Sequence, residues 1–256
     1  MDFFYGGLGP LAFWAACGIT LFGGFVKGAI GFALPLIMIS AFGSFMPPET
    51  ALAGLILATF TTNIHQALRH GLPAAREAIM AYRRLIGTMV VFIVISAQFV
   101  PWLPQGVMLA LLGLPTLLFA LAQLGGKVLR LRLEHRQRAE YGFGTIAGLY
   151  GGISGVWSPP LIVFLLSVGA DKREMVRVQG VVYLIGAGVL MLAHLQSGVL
   201  NAVTLPFSAA LILPAALGMW LGFRLQDRLD PGRFRFWTLV LLCLTALNLL
   251  RRAFVV

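Results

Sequence analysis

Residues 23–35 read GGFVKGAIGFALP and residues 148–160 read GLYGGISGVWSPP, and these two stretches decide how the rest of the chain is read. Each interrupts an apolar run with glycines and closes on proline. Lys27–Pro35 superimposes on Gly151–Pro159 at an offset of 124 residues, which matches Gly28 to Gly152, Gly31 to Gly155 and Pro35 to Pro159. Hydrophobic segments broken at corresponding positions of two chain halves are the sequence mark of an inverted repeat built around a binding site inside a membrane.

The surroundings agree with a bilayer setting. Of the 256 residues 59% are hydrophobic and only 11% charged, against roughly 45–50% and 25% in a soluble domain, and the mean hydropathy is +0.90. At about 20 apolar residues per span the length has room for about eight to ten membrane segments. No separate soluble domain fits beside them. The net charge of +10 reflects 9 acids as much as 19 bases, so it is read as topology rather than nucleic-acid binding. Cys17 and Cys243 lie in separate apolar runs without metal-ligand spacing, which makes them packing residues. The N-terminus lacks a basic region and cleavage site, so the mature chain is read from residue 1.

Cutting at Gly, Pro and charge clusters gives apolar stretches at about 11–26, 28–42, 48–68, 79–100, 104–123, 141–155, 157–169, 174–197, 202–223 and 232–250. The pairs 11–26 with 28–42 and 141–155 with 157–169 are each too short to span, so each is a re-entrant hairpin or one kinked span. Charge chooses between them, because cytoplasmic loops collect Lys and Arg. With hairpins, 16 of the 19 basic residues, in 69–84, 125–140, 170–177 and 224–235, share the cytoplasmic face, and Arg251 and Arg252 lie opposite. The expected architecture is therefore an all-α polytopic membrane protein of two inverted repeats, 1–124 and 141–256, joined by a basic cytoplasmic linker over 125–140. Each repeat opens with a broken-helix or re-entrant hairpin and continues with transmembrane helices. Both termini fall outside, together with 43–48, 100–104 and 197–201.

A half-helix that begins inside the membrane points free N–H groups and its positive dipole end at a ligand, so the breaks suit an anion. Gly28, Gly31, Gly151, Gly152 and Gly155 are the expected backbone contributors, although glycines spaced by four also serve plain helix packing. All nine acids fall in loops or at segment ends, which leaves Lys27 the lone Lys or Arg at membrane depth. Either a bound anion partners it, or it snorkels to the nearer surface or sits deprotonated. Around it the apolar segments carry Thr59, Thr61, Thr62, Asn63 and Gln66 in one cluster, and Ser154, Ser158, Gln179 and Tyr183 in the second half. Of these Thr62, Asn63, Ser154, Ser158, Gln179 and Tyr183 join Lys27 and the glycines as expected substrate ligands, each with interhelical hydrogen bonding as its alternative. His65 and His194 are candidate proton carriers, ranked below the glycines. No metal or cofactor is expected.

The string GGFVKGAIGFALPLIMI followed by ETALAGLILATFTTNIHQALRHG, repeated in altered form as GLYGGISGVWSPPLIVFLLSVGADKREMVRVQGVVYL, resembles the TauE/SafE (sulfite exporter) family over nearly the whole chain. The resemblance implies a transporter, an exporter rather than an importer, of a small sulfur-containing anion such as sulfite or an organosulfonate, in a bacterial inner membrane. The first motif departs from the family's glycine run at Lys27 and Ala29, which bears on the substrate more than the fold. The partners implied are the anion and the lipid bilayer, with no nucleic acid, and the oligomeric state is left open. The competing readings are an importer of sulfate or another small organic anion, a scaffold without flux, and, remotely, an intramembrane serine protease using Ser154 and His194.

Overall fold

The computed structural model describes residues 5–42, 45–99, 105–126, 135–154, 157–196 and 198–255. Among these the chain is helical throughout, with no strand: α1 (Pro10–Ile30), α2 (Leu34–Phe42), α3 (Pro48–Leu68), α4 (Gly71–Ala81), α5 (Arg83–Phe99), α6 (Gln105–Leu124), α7 (Arg136–Ser154), α8 (Ser158–Ser167), α9 (Lys172–Gln196), α10 (Thr204–Ala210), α11 (Ile212–Arg228) and α12 (Pro231–Val255). Pro10 and Pro48 open α1 and α3, where a missing N–H costs nothing. Asp230 caps α12 by accepting the Arg233 N–H at 2.9 Å, and that bond holds its carboxyl below the usual range.

Among the described residues, four helical stretches are long and apolar enough to cross a membrane: Pro10–Ile30, Lys172–Leu192, Thr204–Arg228 and Pro231–Phe254. A bent pair, Gly71–Ala81 with Arg83–Ser96 at 78°, makes a fifth if it is one span. Large apolar side chains such as Leu11, Trp14, Leu213, Trp237 and Phe254 point outward, as a lipid-facing surface requires.

Boundaries shift in four places. The α1 helix runs unbroken through Gly23, Gly24, Lys27 and Gly28 to Ile30, so the 11–26 stretch is long enough to span and the break falls at Gly31–Ala33. There Gly31 (φ 93°) and the non-glycine Ala33 (φ 83°) both adopt left-handed backbone. The α7 helix starts at Arg136, inside the expected linker. The connection expected over 69–84 contains α4, with the chain turning at Tyr82, so the following helix begins at 83 rather than 79. The 202–223 stretch divides at Leu211 into α10 and α11.

The chain packs as two compact units, one of 1–71 with 183–229 and one of 72–182 with 230–256. In the first, α1 lies against α11, and α2 folds back along α1. A Cβ on Gly23 would stand 2.9 Å from Leu34 and 3.6 Å from Ile37, so residues past the break lie beside residues well before it. This is the hairpin geometry expected for 11–42. Phe13, Leu34, Met38, Phe42, Ala58, Phe207 and Leu211 form the core of this unit. Ser208 Oγ donates to Ala53 O at 2.6 Å and ties α10 to α3.

In the second unit α5 packs on α7 and α6 on α12. Gly144 and Gly148 let α7 approach Leu85 O and Met89 O, where a Cβ would stand 2.7 and 2.5 Å away. At one end of this unit Glu140, 2% exposed, pairs with Arg136 at 3.1 Å and Arg84 at 3.9 Å. Nearby the Tyr82 hydroxyl donates to Glu174 Oε1 at 2.6 Å. The repeat division 1–124, 125–140 and 141–256 concerns internal symmetry rather than packing.

Candidate functional site

Lys27 decides the site. It lies in the last turn of α1, one turn before the break, and is 2% exposed, so it does not snorkel. Its position there follows from the helix continuing through the glycines. A Cβ on Gly24 would lie 2.4 Å from Ala215 O, and one on Gly28 2.2 Å from Met219 O. In the opposite sense, Cβ atoms on Gly218 and Gly222 would lie 2.0 Å from Leu21 O and 2.1 Å from Phe25 O. Two small-xxx-small pairs interlock, so backbone meets backbone and no larger side chain fits. Glycine here serves close approach rather than helix breaking. The Gly31 N–H donates to Lys27 O at 2.6 Å, and the N–H of Gly28 belongs to the α1 ladder. The expected anion donors at these two residues are thus engaged within α1, whose C-terminus lies on the Lys27 side of the break, while α2 begins at Leu34 on its other side.

The Lys27 ammonium meets α3. Its Nζ donates to Thr62 Oγ1 at 3.0 Å and to Asn63 Oδ1. Thr62 Oγ1 in turn donates to Ala58 O at 2.7 Å, and Asn63 Nδ2 donates to Tyr183 O at 2.9 Å. One turn on, Gln66 Nε2 donates to Gly31 O at 3.0 Å, which ties α3 to the break itself. Thr59, Thr62, Asn63 and Gln66 fall at i, i+3, i+4 and i+7, the spacing of one helix face, and all four are buried. Among the described residues Lys27 forms no ion pair. A buried ammonium with only neutral acceptors is an arrangement that stabilises an anion brought beside it.

The α3 ladder ends at Arg69. Its guanidinium donates to both Asp227 oxygens at 2.8 Å and to Gln226 Oε1, and stacks 3.9 Å over Phe223. His65 is exposed and lies on the same Phe223 ring at 5.5 Å, so it is not brought to Lys27.

The structure therefore brings Lys27, Thr62, Asn63 and the Tyr183 carbonyl together beside Gly28 and Gly31. The second-half candidates Gly151, Ser158 and Gln179 belong to the other unit. There a Cβ on Gly151 would stand 2.8 Å from the Trp157 ring, and Ser158 is buried at the start of α8. Gln179 is wholly buried, and neither atom of its amide has a hydrogen-bond partner. Gly152 and Ser154 fall in the last turn of α7. Their surroundings, Gly155, and the His194 side chain lie outside the described residues. Sequence reading missed Thr20, whose buried hydroxyl has no partner. Its signal was its place two turns before Lys27 on one face. It also missed Gly218 and Gly222, whose role is set by a helix far off in sequence.

These features define a multi-pass helical membrane protein with a lysine buried in its interior. The family model of the sulfite exporter TauE/SafE matches residues 16–249, and the chain belongs to that family; it is a membrane transporter. Neither a curated protein nor a solved structure gives a match.

Proposed function

We propose that the protein exports a small sulfur-containing anion, sulfite or an organosulfonate, and that Lys27 is the charge that holds it. The observation that carries this is the burial of Lys27 among neutral acceptors alone, Thr62 Oγ1 and Asn63 Oδ1. The matched family's description names sulfite and export, and outward movement of a monovalent anion is favoured by about 2.3 kcal/mol per 100 mV of inside-negative potential. Gly28 and Gly31 contribute by setting the approach and the turn that place Lys27. Tyr183 contributes by fixing Asn63. In the second half Gly151, Gly152, Ser154, Gly155, Ser158 and Gln179 are proposed ligands of the corresponding break, Gln179 with the strongest support because its amide is buried and unpartnered.

The inverted repeat is part of the same proposal. Its support is the order of elements: a long helix, a short helix and a long helix (α1–α3, then α7–α9), each followed by a broken pair and another long helix (α4–α6, then α10–α12). The proposed setting is a bacterial inner membrane, with both termini outside and the basic segments cytoplasmic.

Flux into or out of proteoliposomes tests the substrate, over sulfite, sulfate, sulfoacetate, taurine and small carboxylates. Sulfite should move and sulfonates should compete with it, and Lys27→Met should abolish that movement. Equal flux of all solutes, or unchanged flux in Lys27→Met, would refute the assignment. Cysteine labelling at 125–140 and 224–235 tests the topology, with both segments expected on one face.

A further inference from the structure

We infer that the Lys27 site takes a singly charged oxyanion, with the hydroxyls of Thr20 and Thr59 as its further donors. The inference rests on the reading of Lys27 as the anion-holding charge and deepens it. Lys27 uses two of its three N–H groups on Thr62 and Asn63. The other donors on this face are committed: Thr62 to Ala58 O, Asn63 to Tyr183 O and Gln66 Nε2 to Gly31 O. What remains to a ligand is one ammonium N–H and whichever buried hydroxyls stand free.

Two do. Thr20 on α1 and Thr59 on α3 are buried, and the hydroxyl of each has no hydrogen-bond partner. Their placement is not arbitrary. Lys27 meets residues 62 and 63 while Gly31 meets 66, so α1 and α3 run in the same direction where they face each other. Thr20, two turns before Lys27, and Thr59, one turn before Thr62 and Asn63, then lie along one seam on the same side of the ammonium. An unpartnered hydroxyl buried in an apolar setting is costly and is satisfied by an oxygen ligand. Along that seam the charges balance only once. One cation offsets one negative charge, and a second negative charge would be buried against nothing but hydroxyls, at a cost that neutral donors do not recover.

Binding to the purified full-length protein in detergent tests this, using methanesulfonate as the monoanion and sulfate as the dianion, read by calorimetry and by anion-dependent thermal stabilisation. Methanesulfonate should bind at least about tenfold more tightly than sulfate. Thr20→Val and Thr59→Val should each weaken it by about tenfold, the loss of one hydrogen bond to a charged ligand. Neither should lower the melting temperature of the anion-free protein, because no protein partner is lost. Sulfate binding as tightly as methanesulfonate, with both abolished in Lys27→Met, would overturn the charge limit and leave the Lys27 site standing. Valine variants of unchanged affinity would overturn the role of the hydroxyls. Absence of any Lys27-dependent anion binding would overturn the site and this inference together.

Discussion

Replacing Asn63 by Asp separates a charge-holding site from a merely structural polar cluster, because the two side chains have the same shape. In Asn63→Asp the carboxylate still accepts from Lys27, so the contact becomes a buried ion pair. The cost to the fold is the bond from Nδ2 to Tyr183 O at 2.9 Å, which becomes an oxygen–oxygen contact. A hydrogen bond lost this way is worth about 1 kcal/mol, and the new pair offsets part of it. The protein should therefore fold. An anion beside Lys27 would meet the new carboxylate at about 6 Å, where like charges repel by about 3 kcal/mol at an effective dielectric near 20. Affinity should fall by roughly a hundredfold. The assay is anion-dependent thermal stabilisation of wild type and variant over a concentration series, since a ligand at free concentration c that binds only the folded state stabilises it by RT ln(1 + c/Kd), followed by flux in proteoliposomes. If Asn63→Asp binds the anion within threefold of wild type while folding normally, Lys27 does not hold the substrate.

Gly222→Ala should destabilise by at least about 3 kcal/mol in a denaturation series, because its Cβ would stand 2.1 Å from Phe25 O and 2.7 Å from Ala29 N, backbone atoms that cannot step aside. Loss of flux in Gly28→Val has the same cause and would say nothing about anion binding. A double-mutant cycle on Arg69 and Asp227 should give a coupling of about 0.5–1 kcal/mol, since the Asp227 side chain is 67% exposed. Glu140→Ala should cost about 1–3 kcal/mol in thermal or chemical unfolding, because Arg136 and Arg84 lose a buried acceptor but are themselves partly exposed to solvent, and Glu140→Gln should cost less.

Lys27 was legible because it is the lone base inside a long apolar stretch, and a break somewhere in 23–35 because glycine and proline bound it, though not its place at 31–33. The continuation of α1 through Gly23, Gly24 and Gly28 was not, since those glycines read as breakers until Gly218 and Gly222 supply the facing surface nearly two hundred residues later. Within the cluster from Thr59 to Gln66 composition marks polarity but not direction. His65, next to Gln66 in the chain, points outward to Phe223 while Asn63 and Gln66 point inward, a difference fixed by where α1 and α11 pack. The helix α4 was hidden by Arg76, Glu77 and Pro73, which resemble loop residues although proline is at home in a first helical turn.

The charge at Lys27 has a consequence for how membrane voltage acts on transport. The ammonium sits at the carbonyl end of α1, where the helix dipole favours a cation by about 0.3–1 kcal/mol, too little to replace a counter-ion. With Lys27 charged, as the proposed site requires, the empty site carries one positive charge and the site holding a monoanion carries none. If access alternates around this site, reorientation of the loaded protein moves no net charge, whereas return of the empty protein carries a positive charge toward the inside. An inside-negative potential then speeds the empty return by at most about 2.3 kcal/mol per 100 mV, scaled by the fraction of the field that Lys27 crosses. Net export, which includes that return, should accelerate as the potential becomes more negative. Exchange of labelled for unlabelled anion, which runs only through loaded forms, should stay flat over the same range. Potassium gradients with valinomycin set the voltage for both measurements in one proteoliposome preparation. Exchange that rises with voltage as steeply as net export would place the moving charge on the substrate rather than on Lys27, and would end this account of the site.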